Sequence, residues 1–261
     1  MSRNFGLSAL CLVVVLIGGA LPALAQPDRY DEQDEAVSPE ARAQFTKGER
    51  LAKNEKFDEA VAAYQQAITL KPDYFQAYQG LGLAYAGRNR YPEAVKAFKA
   101  AQRLQPRWGQ VYDNLGVAYI KMGQWQEARD ALTEALRLHP DNAEAHYNLG
   151  LANGKLKRDQ EARAQFAEAI RLDPAMAKAH KNLGLAYLNL GRLDDARKPL
   201  QEAVRLEPKD PQTHYALCVY YARAGDTQAA NREFQALKQL DPKLAEKLAN
   251  LLRPGAPVKK P

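Results

Sequence analysis

The chain has 261 residues, enough for one large domain or two ordinary ones, and carries a formal net charge of +6. Alanine, leucine, arginine, glutamine and glutamate abound while valine, isoleucine and threonine are scarce, which favours helices because unbranched side chains lose little rotamer freedom there. No useful stretch alternates with period two, so no sheet is expected. Charges of both signs interleave without a dense basic stripe or a base-reading motif, which argues against a nucleic-acid partner.

Residues 1–25 read as a secretory signal, with Arg3 as the positive start, Gly6 to Leu21 uncharged and mostly apolar, and Ala23-Leu24-Ala25 as the small-residue cleavage site. Cleavage would leave Gln26 as the new N-terminus and an exported, periplasmic or secreted protein, in the style of a bacterial envelope. The alternative is an uncleaved inner-membrane anchor, because the uncharged run from Phe5 to Gln26 is just long enough to span a bilayer. Gly18, Gly19 and Pro22 near its end favour cleavage. The mature chain would keep one cysteine, Cys218, and so no internal disulfide. Residues 26–39 carry Asp28, Asp31, Glu32, Asp34 and Glu35 and read as an acidic, flexible leader.

From residue 40 to 252 one period governs the chain. Pro72, Pro106, Pro140, Pro174, Pro208 and Pro242 follow one another at intervals of 34, each two residues after a leucine. Alanine recurs at Ala60, Ala94, Ala128, Ala162, Ala196 and Ala230. Four residues later stands a large apolar side chain: Tyr64, Phe98, Leu132, Phe166, Leu200 or Phe234. A small residue marks a further column, Gly48, Gly82, Gly116, Gly150, Gly184 and Cys218. Within the third repeat Tyr112, Leu115, Gly116 and Tyr119 share one helical face. Gly123 ends that helix, as Asn89, Gly191 and Gly225 do in their repeats, whereas Glu55 and Lys157 occupy the same column and predict some strain. A second amphipathic run then continues to the proline, which stops it.

This set of columns resembles the tetratricopeptide repeat, over 204 of the 261 residues, with repeats 41–74, 75–108, 109–142, 143–176, 177–210 and 211–244. The resemblance implies an all-α, right-handed superhelical solenoid of six helix-turn-helix hairpins. It also implies a close Gly/Ala contact inside each hairpin. Stacking buries what one hairpin cannot, so the ends need caps. Residues 243–252, with Leu244, Leu248 and Leu251 on one side, read as the C-terminal capping helix, and 253–261 as a disordered basic, Pro-rich tail.

The resemblance further implies that repeat positions two, five, six, nine, twelve and thirteen line a concave groove. Position six then offers Asn114, Asn148 and Asn182, whose carboxamides can both donate to and accept from an extended peptide backbone. Asn is also common at that position across the family, so the ladder and plain family background remain two readings. Position nine offers Leu83, Val117, Leu151, Leu185 and Val219, an apolar stripe that either binds a partner or packs against neighbouring first helices. Lys121, Lys155, Lys178 and Lys181 make the groove mildly basic despite Glu49, Asp113 and Glu144, which suits an extended apolar segment with some acidic character. The expected partner is a protein or peptide.

Other chemistry is not expected. His146, His180 and His214 share a column in successive repeats, too far apart to ligate one metal ion, and are expected to pack as Tyr78 and Tyr112 do. Gly80-Leu81-Gly82 lies inside a helix and is no nucleotide loop, and Cys218 sits in the small-residue column as a filler. With no catalytic set in context, the expectation is a non-enzymatic scaffold or adaptor with no cofactor, metal or small-molecule substrate. The alternatives are a self-associating structural protein and a membrane-tethered adaptor.

Overall fold

A computed structural model describes residues 37–252. The signal at 1–25, most of the acidic leader and the tail at 253–261 lie outside the described residues. Among the described residues every regular element is a helix, thirteen in all. They are α1 (Pro39–Lys53), α2 (Phe57–Leu70), α3 (Phe75–Gly87), α4 (Tyr91–Leu104), α5 (Gly109–Lys121), α6 (Trp125–Leu138) and α7 (Ala143–Lys155). The remainder are α8 (Asp159–Leu172), α9 (Ala177–Asn189), α10 (Leu193–Leu206), α11 (Pro211–Ala224), α12 (Thr227–Leu240) and α13 (Pro242–Leu252). The fold is all-α, six antiparallel hairpins followed by one closing helix, as expected of a tetratricopeptide solenoid. No helix among the described residues is long and apolar enough to cross a membrane.

Local chemistry sets the boundaries. Ser38 caps α1 by accepting from the Ala41 amide at 3.2 Å, and Asp210, Asp226 and Asp241 do the same for α11, α12 and α13. Each hairpin turns through one left-handed residue: Glu55 (φ 58°), Asn89 (58°), Gly123 (72°), Lys157 (61°), Gly191 (73°) or Gly225 (78°). Glycine and asparagine enter that region at little cost, whereas Glu55 and Lys157 hold their side chains against it. Five of the periodic prolines occupy the turns between repeats, and the sixth, Pro242, opens α13, where a missing amide costs nothing.

The chain divides into two compact units, Met1–Glu144 and Ala145–Pro261. In the first, each hairpin partner packs on its mate (α1 on α2, α3 on α4, α5 on α6), and α1, α3 and α5 also touch in sequence. Its core gathers Phe45, Leu51, Tyr64, Tyr74 and Leu81, with the Phe45 ring 5.0 Å from Tyr74 and 5.8 Å from Tyr64. In the second, α9 packs on α8 and α10, α11 on α10 and α12, and α13 on both α11 and α12. Ala245 and Leu248 of α13 are buried with Leu237 and Cys218, closing the apolar end of the last hairpin.

The small-residue column has a nearer partner than the alanine the resemblance implies. A Cβ built on Gly48 would stand 2.7 Å from Tyr64 Cε1, and one on Gly150 2.6 Å from Phe166 Cε1. Gly82 likewise faces Phe98, Gly116 faces Leu132 and Gly184 faces Leu200. The glycine is thus a notch for the large apolar side chain of the second helix, and the backbone of the alanine one turn earlier also comes close, the Ala196 carbonyl standing 3.4 Å from a Cβ built on Gly184. The alanines Ala60, Ala94, Ala128, Ala162 and Ala196 are buried one turn earlier on that helix. Cys218 fills the same column; its Sγ lies 3.6 Å from the Ala230 carbonyl, and burial, followed by nearby Glu233, pushes the thiol up to about 12. A thiol so hard to ionise is a filler.

Candidate partner-binding surface

Within each unit the first helices of successive hairpins lie beside one another, so their equivalent positions form a common wall. In the C-terminal unit that wall is α9 against α11 and α11 against α13, with α7 joined to α9 through side chains. The apolar stripe runs along it. Leu151, Leu185 and Val219 are half-buried, and each also packs against the core: Leu151 beside Phe166, Leu185 and Val219 against the cluster of Leu188, Leu200 and Leu217. In the N-terminal unit Leu83 is buried and Val117 half-buried. The stripe therefore serves the hairpins and still shows part of its surface.

The three asparagines have three different settings. Asn182 Nδ2 donates to the Tyr147 hydroxyl at 3.2 Å, tying α9 to α7. Asn114 Nδ2 is buried with no hydrogen-bond partner among the described residues. Asn148 is half-buried. A buried donor without an acceptor is costly, and at that burial the Asn114 amide is closed to a partner's backbone.

The lysines differ as well. Lys121 and Lys155 are exposed at the ends of α5 and α7. Lys178 Nζ stands 4.6 Å from the centre of the Tyr147 ring, a cation–π contact. Lys181 Nζ is 2.8 Å from Asp210 Oδ2, a pair mostly withdrawn from water. Burial opposes the Asp210 charge, but the Lys181 ammonium and the Thr213 hydroxyl outweigh it and hold the carboxyl below its usual range.

At three residues of the wall the packing shows what sequence reasoning does not: burial without full hydrogen bonding. Gln79 is fully buried in α3 with both carboxamide atoms unpartnered. Asp113, next to Asn114, accepts from Asn142 Nδ2 at 2.8 Å through one oxygen, while the other is buried and unpartnered. Burial pushes its carboxyl up to about 7 despite the lowering effect of that bond. Glu49 is raised too, again by burial, and one of its oxygens has no partner. The first-helix wall of the N-terminal unit thus holds unsatisfied donors and acceptors, a signal legible only once neighbouring repeats are packed.

The histidine column is tied into turns. His180 Nε2 is 3.0 Å from the Pro174 carbonyl and His214 Nε2 2.9 Å from that of Pro208, the place Tyr112 takes when its hydroxyl donates to Pro106 at 2.9 Å. Each side chain staples the start of a first helix to the preceding inter-repeat turn. Among the described residues no group of His, Cys, Asp and Glu is placed to hold a metal ion.

Known proteins share this architecture. The solved structure of MamA is 28% identical over 62% of this chain and 95% of its own, with a TM-score of 0.59. YrrB, described as a TPR protein with an unusual peptide-binding site, is 25% identical over 72% of this chain and 97% of its own, with a TM-score of 0.62. Pseudomonas aeruginosa pilF, at 19% identity, covers 83% of this chain and 97% of its own with a TM-score of 0.70, a likeness of fold alone. No curated protein matches in sequence. The family model for the Cilia and flagella-associated protein 70 C-terminal domain, a tetratricopeptide-repeat model, matches residues 13–253. The chain belongs to that family and is a tetratricopeptide-repeat protein–protein interaction domain.

Proposed function

We propose that this protein is a non-enzymatic adaptor that holds an extended polypeptide segment along the first-helix wall of its repeats. The observation that carries the reading is the half-buried stripe of Leu151, Leu185 and Val219, on the same first helices as Lys155 and Lys178. The apolar side chains offer contact area that the hairpins do not consume. The lysines favour a segment with acidic character, acting mainly on encounter rate and register. The peptide-binding site in the description of YrrB supports the same use of the fold.

The setting we propose is the cell envelope, reached by export. Its support is the sequence of residues 1–25, with Arg3, the apolar run and Ala23-Leu24-Ala25. Mass spectrometry of the native N-terminus tests it: a chain starting at Gln26 supports export, and one retaining Met1 or Ser2 contradicts cleavage.

The binding reading is tested by capturing partners from the native envelope fraction. The triple variant Asn114→Ala, Asn148→Ala, Asn182→Ala should retain its melting temperature within a few degrees and lose affinity for what the parent captures. Equal affinity removes the carboxamides from the mechanism. A second reading, self-association, draws on Leu70, Leu104 and Leu240, which are 51%, 40% and 38% exposed at the ends of their helices. It predicts a sedimentation mass that rises with concentration.

A further inference from the structure

The second-helix side of the fifth repeat departs from its neighbours at one pair of positions. In the fourth repeat His146 Nδ1 meets Gln165 Oε1 at 2.7 Å, nineteen residues on. In the sixth, His214 Nδ1 meets Glu233 Oε2 at 2.7 Å over the same interval. The fifth repeat has the histidine, His180, but the residue facing it from the second helix is Pro199. Proline has no polar side-chain atom to offer.

Two consequences follow. The Nε2–H of His180 donates to the Pro174 carbonyl, which leaves Nδ1 as the free nitrogen, with no protein partner among the described residues. The missing side chain also leaves space: an open cleft of about 560 Å³ lies over α9 between α8 and α10. Its apolar lining is Ile170, Leu183 and Pro199. Its cations are Lys198 and Arg205, with Arg205 held in a double hydrogen bond to Glu202 at 2.6 and 2.8 Å and so neutralised. Lys198 has no ion-pair partner among the described residues. The cleft therefore presents the Lys198 ammonium, the His180 imidazole, which also lies near the Glu202 carboxylate paired with Arg205, and an apolar floor. None of its residues occupies the groove positions of the first-helix wall.

We infer that this cleft is a second binding site, and that it takes a glutamate side chain of a partner polypeptide. The carboxylate would accept from the Lys198 ammonium and from the Nδ1–H of doubly protonated His180, the place Glu233 takes beside His214 Nδ1 in the sixth repeat. An apolar residue beside that glutamate would cover Ile170 and Leu183. Glutamine in the same place keeps the shape but loses the charge-assisted bonds, which are about twice as strong as neutral ones.

The test uses the full chain, labelled for detection of histidine ring nitrogens, and two capped tripeptides, acetyl-Leu-Glu-Leu-amide and acetyl-Leu-Gln-Leu-amide. His180→Gln assigns the His180 signal. The Glu peptide should shift that signal saturably, with a half-saturation roughly tenfold lower than the Gln peptide. Pro199→Glu builds in the carboxylate of the sixth repeat and should abolish the response while leaving the His146 and His214 signals in place. Should that variant displace those two signals, Lys198→Gln is the second arm and should weaken the Glu peptide severalfold. A His180 signal unmoved by the Glu peptide, equal responses to both peptides, or an undiminished response in a folded Pro199→Glu or Lys198→Gln chain would overturn the inference.

Discussion

Lys181 reaches across one repeat to Asp210, its Nζ 2.8 Å from Oδ2, and Asp210 in turn caps α11 through the amides of Gln212 and Thr213 at 3.3 and 3.1 Å. Two repeats earlier Asp113 and Asn142 occupy the same pair of positions, also 29 residues apart and also 2.8 Å from each other. In the first repeat Phe45 and Tyr74 fill them with rings. One site between consecutive first helices is thus closed by an ion pair, a neutral hydrogen bond or an aromatic contact, depending on the repeat.

Lys181→Met keeps the length and apolar stem of the side chain and removes only its charge. It leaves the Asp210 carboxylate partly buried with its cap bonds alone. The expected cost is about 1–2 kcal/mol, read as a lower melting temperature. A melt unchanged from the parent would show that the pair contributes nothing beyond its desolvation cost.

Asp113 makes stability depend on pH in the direction opposite to most carboxylates. Its folded pKa, near 7, lies above the ordinary value of 3.8. The folded state therefore holds a proton that the unfolded state has lost between those two values, and stability falls as pH rises through that window. Asp113→Asn removes the titration and can keep a carboxamide oxygen toward Asn142. It should be more stable than the parent at pH 8, by on the order of 4 kcal/mol, and no more stable at pH 3.5. Equal melting temperatures at pH 8 would place the folded carboxyl near its ordinary range.

Gly150→Leu puts a branched side chain where a Cβ alone would come within 2.6 Å of the Phe166 ring. The ring must leave its notch, and the expected loss is about 1–3 kcal/mol. A thermal melt without loss would contradict the notch.

Lys157→Gly relieves a side chain held at φ 61°, in the column where Gly123 and Gly191 stand. The gain from relieving the left-handed conformation is offset in part by the extra freedom of glycine in the unfolded chain, leaving about 0.5–1 kcal/mol of added stability. A lower melting temperature would show that Lys157 makes contacts worth more than its strain.

The helical fold was legible because the residues that specify it act locally. Proline ends a helix wherever it stands, and glycine or asparagine turns it, so six in-phase columns identify the hairpins. The packing inside each hairpin was legible in outline and incomplete in detail. The columns show that Gly150 is small, but only the packed helices show that the Phe166 ring is what it receives. Contacts between columns were not legible. Lys181 with Asp210, Asn182 with Tyr147 and His214 with Glu233 each join positions whose residue types change from repeat to repeat. No single column announces such a pair, because its meaning depends on the residue standing opposite.

The central claim is that a polypeptide lies along the first-helix wall. Its most direct measurement is site-specific photo-crosslinking in the native cell, with the photoreactive residue placed in turn at Leu185, at Val219 and, as a control, at Lys238, which is exposed on the second helix α12. Adducts to a polypeptide at Leu185 and Val219, reduced by the triple asparagine variant and missing at Lys238, are the predicted result. Adducts at Lys238 alone, or none at Leu185 and Val219, would contradict the account.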